Sequence, residues 1–267
     1  MVVAPKEYDR RVAVVRRFLS GLVKLGLRGA AIRALSAAYY LYFRGKVNLK
    51  VVGLNNLPKP PFVVVGNHSS AADAYLALAI LAGRLGLRPY FVVHERAFRR
   101  DTLERAFLEF LEARPRSGSG QQVVEVMANW LRDGKVVVLP PEGMFNRGRI
   151  MKGYTGIVRL YHAVNPPGSP PRVPVVPACT IGADKAFSPW PDADGRYRFH
   201  KVGVVVRVGK PIYWAPRQPG ELTREYLREK VDWLMDHVAR LALQKGGAVE
   251  SWKLAGLEPG RPRRYGA

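Results

Sequence analysis

The chain has 267 residues, of which 48% are apolar. It is therefore long enough to bury one substantial core, and its composition excludes global disorder. The 43 Lys and Arg residues outnumber the 21 Asp and Glu residues, which gives a net charge of +22. Such a charge predicts an anionic partner, either a membrane surface or nucleic acid.

Residues 1–45 are predicted to form a basic helical region, as one long helix or two consecutive helices. Arg10, Arg17 and Lys24 recur every seven residues and Arg28 follows four later, so they share one helical face. An apolar stripe lies on another face: Val12, Val15, Leu19, Leu22 and Val23. This pattern favours docking in the membrane interface, and the alternative is that the stripe packs on the protein core.

Neither a secretory signal peptide nor a transmembrane segment is visible. The most apolar N-terminal stretch, residues 34–43, lies between two arginines. It is too short to cross a bilayer, which requires about 20 apolar residues. The expected location is therefore the cell membrane, peripheral or monotopic on its cytoplasmic face.

Residues 46–250 are predicted to form an α/β domain, and residues 251–267 a basic tail. Alternating strands and helices favour a largely parallel sheet flanked by helices. The predicted strands cover residues 47–52, 62–65, 90–93, 135–139, 173–181 and 202–208. The predicted helices cover residues 71–85, 102–111, 121–131 and 155–163, with a final amphipathic helix marked by Leu227 to Leu241.

The segment from Asn67 to Asp73 carries the clearest chemical signal. It follows a short buried strand that ends in glycine and precedes a run of good helix formers. His68 and Asp73 can meet if His68 lies in the turn and Asp73 in the first helical turn, with Asn67, Ser69 or Ser70 as the cap. The carboxylate would then fix the imidazole tautomer, and His68 would act as a general base. The alternative is a structural histidine beside an aspartate that the helix dipole favours.

This segment resembles the His-x4-Asp signature of the glycerolipid acyltransferases, whose best-known members acylate lysophosphatidic acid. Further segments match the blocks of that family in order. They are residues 53–58 (Gly-Leu-Asn-Asn-Leu-Pro), 114–118 (Arg-Pro-Arg-Ser-Gly), 135–143 (a strand ending in Pro-Glu-Gly) and 173–177 (Val-Pro-Val-Val-Pro). The resemblance implies that His68 and Asp73 are catalytic. It departs from the family after Pro-Glu-Gly, where Met144 and Phe145 replace the usual Thr-Arg.

The substrate-binding candidates surround these blocks. Arg116 precedes small residues and a predicted helix start, so with the resemblance it is predicted to bind a phosphate. Glu142 is predicted to position Arg116 or a substrate hydroxyl, and Gly143 to allow close backbone approach.

The charge missing after Pro-Glu-Gly has nearby replacements. Arg147 or Arg149 can supply it, and Lys152 is a further candidate for head-group binding. Each of these three residues is equally compatible with a solvated loop.

Other types of site find little support. Five scattered histidines and one cysteine give no metal-ligand spacing, so no metal is predicted. Cys179 lies in an apolar predicted strand and is interpreted as a core residue rather than a reactive one. Ser69 and Ser70 are interpreted as caps rather than nucleophiles, because no Gly-x-Ser-x-Gly elbow is present.

The predicted function is acyl transfer from a thioester of coenzyme A or acyl-carrier protein to lysophosphatidic acid, giving phosphatidic acid without a bound cofactor. The expected partners are both substrates, an anionic membrane surface and, where it carries the donor, acyl-carrier protein. The alternatives are another acceptor, such as glycerol-3-phosphate or another lysophospholipid, or a non-catalytic basic protein that binds membranes or nucleic acid. Nucleic acid is not expected, since no helix-turn-helix, zinc or aromatic ribonucleoprotein signature is present.

Overall fold

The computed structural model describes residues 5–70, 72–98, 102–145, 150–187 and 200–243, with side chains from residue 10 onward. Its α-helices are α1 (Pro5–Lys24), α2 (Arg28–Lys46), α3 (Asp73–Leu78), α4 (Leu103–Phe110), α5 (Gly120–Arg132), α6 (Gly156–Val164), α7 (Ala183–Ala186) and α8 (Arg224–Leu243). Its strands are β1 (Lys50–Val52), β2 (Phe62–Gly66), β3 (Pro89–Tyr90), β4 (Val92–His94), β5 (Arg114–Arg116), β6 (Val136–Leu139), β7 (Val175–Ile181) and β8 (Val205–Val208).

Six strands form the main sheet in the order β1-β8-β7-β2-β6-β3. Every pair is parallel except β7 with β8. The central strands are rich in valine because parallel strands covered on both faces favour β-branched apolar residues. The predicted α/β class with a largely parallel sheet is confirmed.

The two faces of the sheet pack against different helices. On one face, Val63 and Val65 of β2 belong to a buried cluster with residues of α5, α6 and α8. On the other, Val206 of β8 packs with Phe43 of α2 and Leu76 of α3. Helices on both faces leave the strand ends open, and the carboxyl ends of β2, β6 and β7 lie side by side.

Several predicted boundaries differ from the structure. The strand predicted over residues 47–52 begins only at Lys50, because α2 continues to Lys46 and Asn48 has a positive φ of 44°. The strand predicted over residues 90–93 is two strands, since β3 pairs with β6 while β4 pairs with β5 in a separate two-stranded sheet. The helix predicted over residues 71–85 starts at Asp73 and becomes a π-helix over Ala79–Arg84.

The N-terminal region forms two helices separated by Gly26, whose φ is +70°. Val12 is buried, and Leu19 and Leu22 pack against a cluster that includes Phe110 of α4. Three residues of the apolar stripe predicted to face the membrane therefore pack on the protein, as the alternative held, while Val23 is 37% exposed. No helix within the described residues is both long and apolar enough to span a bilayer.

A buried histidine of α6 makes the stability of this fold pH-dependent. His162 Nδ1 accepts a hydrogen bond from the Arg217 amide at 3.3 Å, so its proton lies on Nε2, 3.1 Å from the Tyr226 hydroxyl. Burial, helped by the Arg217 cation, lowers the pKa of His162 below its usual 6.5. Protonation of this imidazole is therefore more favourable in the unfolded chain than in the folded protein.

We expect the stability supplied by neutral His162 to be complete above about pH 6.5 and to be lost as the pH falls toward the lower folded-state pKa. Urea denaturation between pH 7.5 and 5.0 measures this slope. His162→Gln should flatten it, and His237→Gln, on the outside of α8, should leave it unchanged. Equal slopes in all three proteins would show that His162 does not drive the acid loss.

Candidate active site

The loop after β2 is fixed to β7 by one asparagine. The Asn67 side chain donates to the Thr180 carbonyl at 2.9 Å and accepts from the Thr180 amide at 2.8 Å. Asn67 is buried, with 6% of its surface exposed. Its amide thus continues the pairing of the strands and sets the position at which the next residue, His68, leaves the sheet.

His68 and Asp73 meet as the spacing predicts, with His68 in the turn and Asp73 at the start of α3. The distance between His68 Nδ1 and Asp73 Oδ2 is 3.0 Å. Their side chains are 23% and 14% exposed, so the pair is sheltered but accessible. In a neutral imidazole the proton shared with the carboxylate lies on Nδ1, which leaves Nε2 as a proton acceptor.

The carboxylate of Asp73 is held by its own loop. Its Oδ2 also accepts from the Ser70 amide at 2.9 Å, and its Oδ1 accepts from the Ser69 hydroxyl at 3.0 Å. Three hydrogen bonds therefore restrict the carboxylate to one orientation toward the imidazole. Such support for the group that orients a base is what precise proton transfer requires.

The predicted cap is wrong in detail. The N-cap position of α3 is Ala72, without a side-chain cap, because the chain turns through a hydrogen bond from the Asp73 amide to the Ser70 carbonyl. The Ser70 hydroxyl instead accepts from the Ala72 amide at 3.2 Å, and the Ser69 hydroxyl donates to Asp73. Both serines thus serve the geometry of the loop.

Glu142 supports His68 from the neighbouring strand end. It is 2% exposed, and its Oε2 accepts from the His68 amide at 2.6 Å while its Oε1 accepts from the Met151 amide at 2.6 Å. These contacts give Glu142 a positioning function that the sequence did not reveal. Its predicted positioning of Arg116 or of a substrate hydroxyl remains a prediction.

Phe145 borders the imidazole. The two ring centroids of His68 and Phe145 are 4.5 Å apart with the planes inclined at 60°. An apolar ring therefore lies beside the base, close to the position where the resembling family has Thr-Arg. The departure is visible in the sequence, whereas the ring contact depends on the fold.

The predicted head-group residues are distributed around the same edge. Arg116, at the end of β5, is exposed, and Lys152 is exposed on the loop before α6. Arg147 and Arg149 lie outside the described residues. No three His, Cys, Asp or Glu side chains in the described ranges are close enough to hold a metal ion.

The helix start after Arg116 is capped by the chain itself. The Ser119 hydroxyl accepts from the Gln122 amide at 3.3 Å, and the Gln122 side chain accepts from the Ser119 amide at 2.7 Å. A phosphate was predicted to bind at this helix start. The capping box already satisfies two of the amides that would bind it. Arg116 is therefore the stronger part of the predicted phosphate site.

Cys179 is a core residue, as predicted. It is 1% exposed in β7. Burial, reinforced by the nearby Glu142 carboxylate, raises the pKa of its thiol to about 12. A thiol in this state is not a nucleophile at neutral pH.

The sheet edge that carries His68 and Asp73 lies within a region shared with a known protein family. A family model described as Acyltransferase matches residues 48–181, half of the chain, including His68, Asp73 and Glu142. The chain belongs to this acyltransferase family. No curated protein matches it significantly.

A solved structure supports the fold. The crystal structure of the 1-acyl-sn-glycerophosphate (LPA) acyltransferase, PlsC, from Thermotoga maritima is similar with a TM-score of 0.57. The identity is 17%, over 89% of this chain and 98% of that one. At this identity the likeness concerns the arrangement of helices and strands.

Proposed function

We propose that this chain transfers a fatty acyl group from a thioester of coenzyme A or acyl-carrier protein to the free hydroxyl of lysophosphatidic acid, giving phosphatidic acid. The 3.0 Å contact between His68 Nδ1 and Asp73 Oδ2 carries the proposal. It leaves a proton-accepting nitrogen at the open edge of the sheet, in a chain of the acyltransferase family.

The reaction balances without a covalent enzyme intermediate. His68 Nε2 takes the proton of the acceptor hydroxyl as its oxygen attacks the thioester carbon. A new carbon–oxygen bond forms, the carbon–sulfur bond breaks, and the proton passes from His68 to the departing thiolate. Asp73 stabilises the transient imidazolium, and the described contacts of Ser69, Ser70 and Glu142 keep the loop in position.

The acceptor is the least constrained part of the proposal. Phe145 places an apolar ring beside His68, and Arg147 or Arg149 would have to supply the charge that the Thr-Arg pair provides in the family. Glycerol-3-phosphate or another lysophospholipid is therefore the second candidate acceptor. An initial-rate comparison of lysophosphatidic acid, glycerol-3-phosphate and lysophosphatidylcholine, each with an acyl-CoA, decides among them, and the proposal expects the first to have the highest kcat/KM.

The protein is proposed to act at a membrane surface through an N-terminal apolar patch, defined as Val14, Phe18, Leu25 and Leu27. Val14 and Phe18 are 63% and 64% exposed, and Leu25 is 72% exposed. This patch replaces the predicted apolar stripe, which packs partly on the protein, as the candidate for insertion between lipids. Exposed basic residues of α1 lie beside it and favour an anionic leaflet.

We expect replacement of Arg10, Arg17 and Lys24 by glutamate to weaken binding to anionic vesicles by about two powers of ten or more. Each basic side chain near such a surface contributes about 1 kcal/mol. Sedimentation with vesicles of mixed anionic and neutral lipid measures the effect. Turnover of a short-chain, monomeric acceptor should be unchanged, since these residues lie outside the site.

A matched control reverses three exposed basic residues elsewhere, Lys210, Arg224 and Arg240. This variant has the same net charge but should retain most of the vesicle binding. If both triple variants lose binding equally, the total charge rather than α1 directs the protein to the membrane. Undiminished binding in the α1 variant would place the docking surface elsewhere.

A further inference from the structure

A tyrosine outside the recognised motifs lies against the site. Tyr154 follows the loop after β6, and its amide donates to the Pro141 carbonyl at 2.7 Å, which fixes its backbone to the turn carrying Glu142. Its ring lies against Gly143, because a Cβ added there would be 2.8 Å from Tyr154 Cε2. Gly143 also has a φ of +67°, so glycine is required both by the backbone and by the ring.

Arg116 approaches Gly143 as well. The same added Cβ would be 4.0 Å from Arg116 Nη1. The strand β5 therefore brings a guanidinium, and the loop before α6 brings a phenol, to one point above Gly143. Two distant segments of sequence meet there.

Both side chains have free hydrogen-bonding capacity within the described part of the chain. Tyr154 is 47% exposed, and Arg116 is exposed on β5. Neither side chain hydrogen-bonds or ion-pairs with a described residue. By contrast, Arg16 of α1 and Arg105 of α4 both form ion pairs with Glu109. A guanidinium offers five donors and a phenol one, which suits an oxygen-rich anion.

We propose that Tyr154 is an acceptor-binding residue that holds, together with Arg116, a phosphate monoester above Gly143. This inference rests on the proposed function, which supplies such an acceptor. Lysophosphatidic acid bears its free hydroxyl and its phosphate on neighbouring carbons, so the two groups must be bound at neighbouring positions. Glu142 provides that proximity, since its carboxylate holds the His68 amide and the next residue is Gly143.

Tyr154→Phe tests the inference by removing only the hydroxyl. A hydrogen bond to a charged group is worth about tenfold or more in affinity, so the KM for lysophosphatidic acid should rise about tenfold. The kcat and the KM for the acyl-CoA should change little, because the phosphate is bound equally in the ground and transition states. Tyr213→Phe, which alters a 52% exposed tyrosine after β8, is the matched control and should be silent.

Combining Tyr154→Phe with Arg116→Ala tests whether they hold the same phosphate. Residues that share one ligand group are coupled, so the double variant should lose less than the product of the two single losses. An acceptor without phosphate, monoacylglycerol, should be used equally by the wild type and Tyr154→Phe. An unchanged KM for lysophosphatidic acid would overturn the inference. A rise only in the KM for the acyl-CoA would also overturn it, because the ligand would then be a phosphate of the acyl-CoA.

A binding measurement separates this inference from the proposed function. Titration calorimetry with glycerol-3-phosphate should show weaker binding to Tyr154→Phe than to the wild type. Such a difference in a protein that transfers no acyl group would uphold the phosphate site and contradict the acyltransferase reaction. Equal affinities in a protein that acylates lysophosphatidic acid would uphold the reaction and remove Tyr154 from the site.

Discussion

His68→Ala is expected to lower kcat by at least about 10²-fold, the lower end of what general-base catalysis contributes. The substitution removes Nε2, which would accept the proton of the acceptor hydroxyl. It leaves the His68 amide, and therefore its 2.6 Å hydrogen bond to Glu142, in place. The loop and the substrate-binding residues should keep their positions, so the acceptor KM should change much less than kcat.

The steady-state rates are to be measured beside thermal unfolding. His237→Ala, on α8 and outside the site, is the control for loss of an imidazole and should keep full activity. An unfolding midpoint close to that of the wild type shows that the loss is chemical. Near-normal turnover by folded His68→Ala would remove the proposed mechanism.

Asp73→Asn is expected to reduce kcat by about 10²–10⁴-fold, although the side chain keeps its size. The amide carries no charge to stabilise the imidazolium that forms when His68 takes the proton. It also offers only one acceptor oxygen, whereas Asp73 uses both oxygens to accept from His68, Ser69 and Ser70. The imidazole therefore loses both its fixed tautomer and its counter-charge.

Ser69→Ala is the matched comparison for that variant. It removes only the 3.0 Å bond to Asp73 Oδ1, so the loss of kcat should stay below about tenfold, the value of one hydrogen bond. The comparison also tests the role of the serine itself. Abolished turnover in Ser69→Ala would indicate a nucleophilic serine, which contradicts direct transfer.

The sequence predicted the central part of the sheet well, for a physical reason. The valine-rich segments of β2, β6 and β7 are apolar on both faces, which is typical of strands buried within a parallel sheet. Their identity as strands therefore depends little on context. The strand end before His68 and the helix start at Asp73 follow from local glycine and helix-former signals. The contact between the two side chains then follows from geometry.

Features that depend on partners were not predictable. The residues around Tyr90 and Val92 form one apolar run, and its division between two sheets depends on whether β6 or β5 lies alongside. The helical period of the apolar residues in α1 identifies an apolar face. It does not identify the surface against which that face packs. In the same way, a glutamate at a strand end can point to a ligand or, like Glu142, inward to hold a loop.

Direct transfer of an acyl group by a His–Asp base can be tested in one single-turnover experiment. The protein is mixed with a radiolabelled acyl-CoA, with and without lysophosphatidic acid, and quenched at intervals for lipid separation and mass spectrometry of the intact chain. Direct transfer predicts label in phosphatidic acid with one free thiol per ester formed, no acylated protein at any time, and product formation at least about 10²-fold slower with His68→Ala. Direct transfer would be contradicted if label were bound covalently to the chain before product appears. It would also be contradicted if the wild type transferred no acyl group to lysophosphatidic acid or to glycerol-3-phosphate.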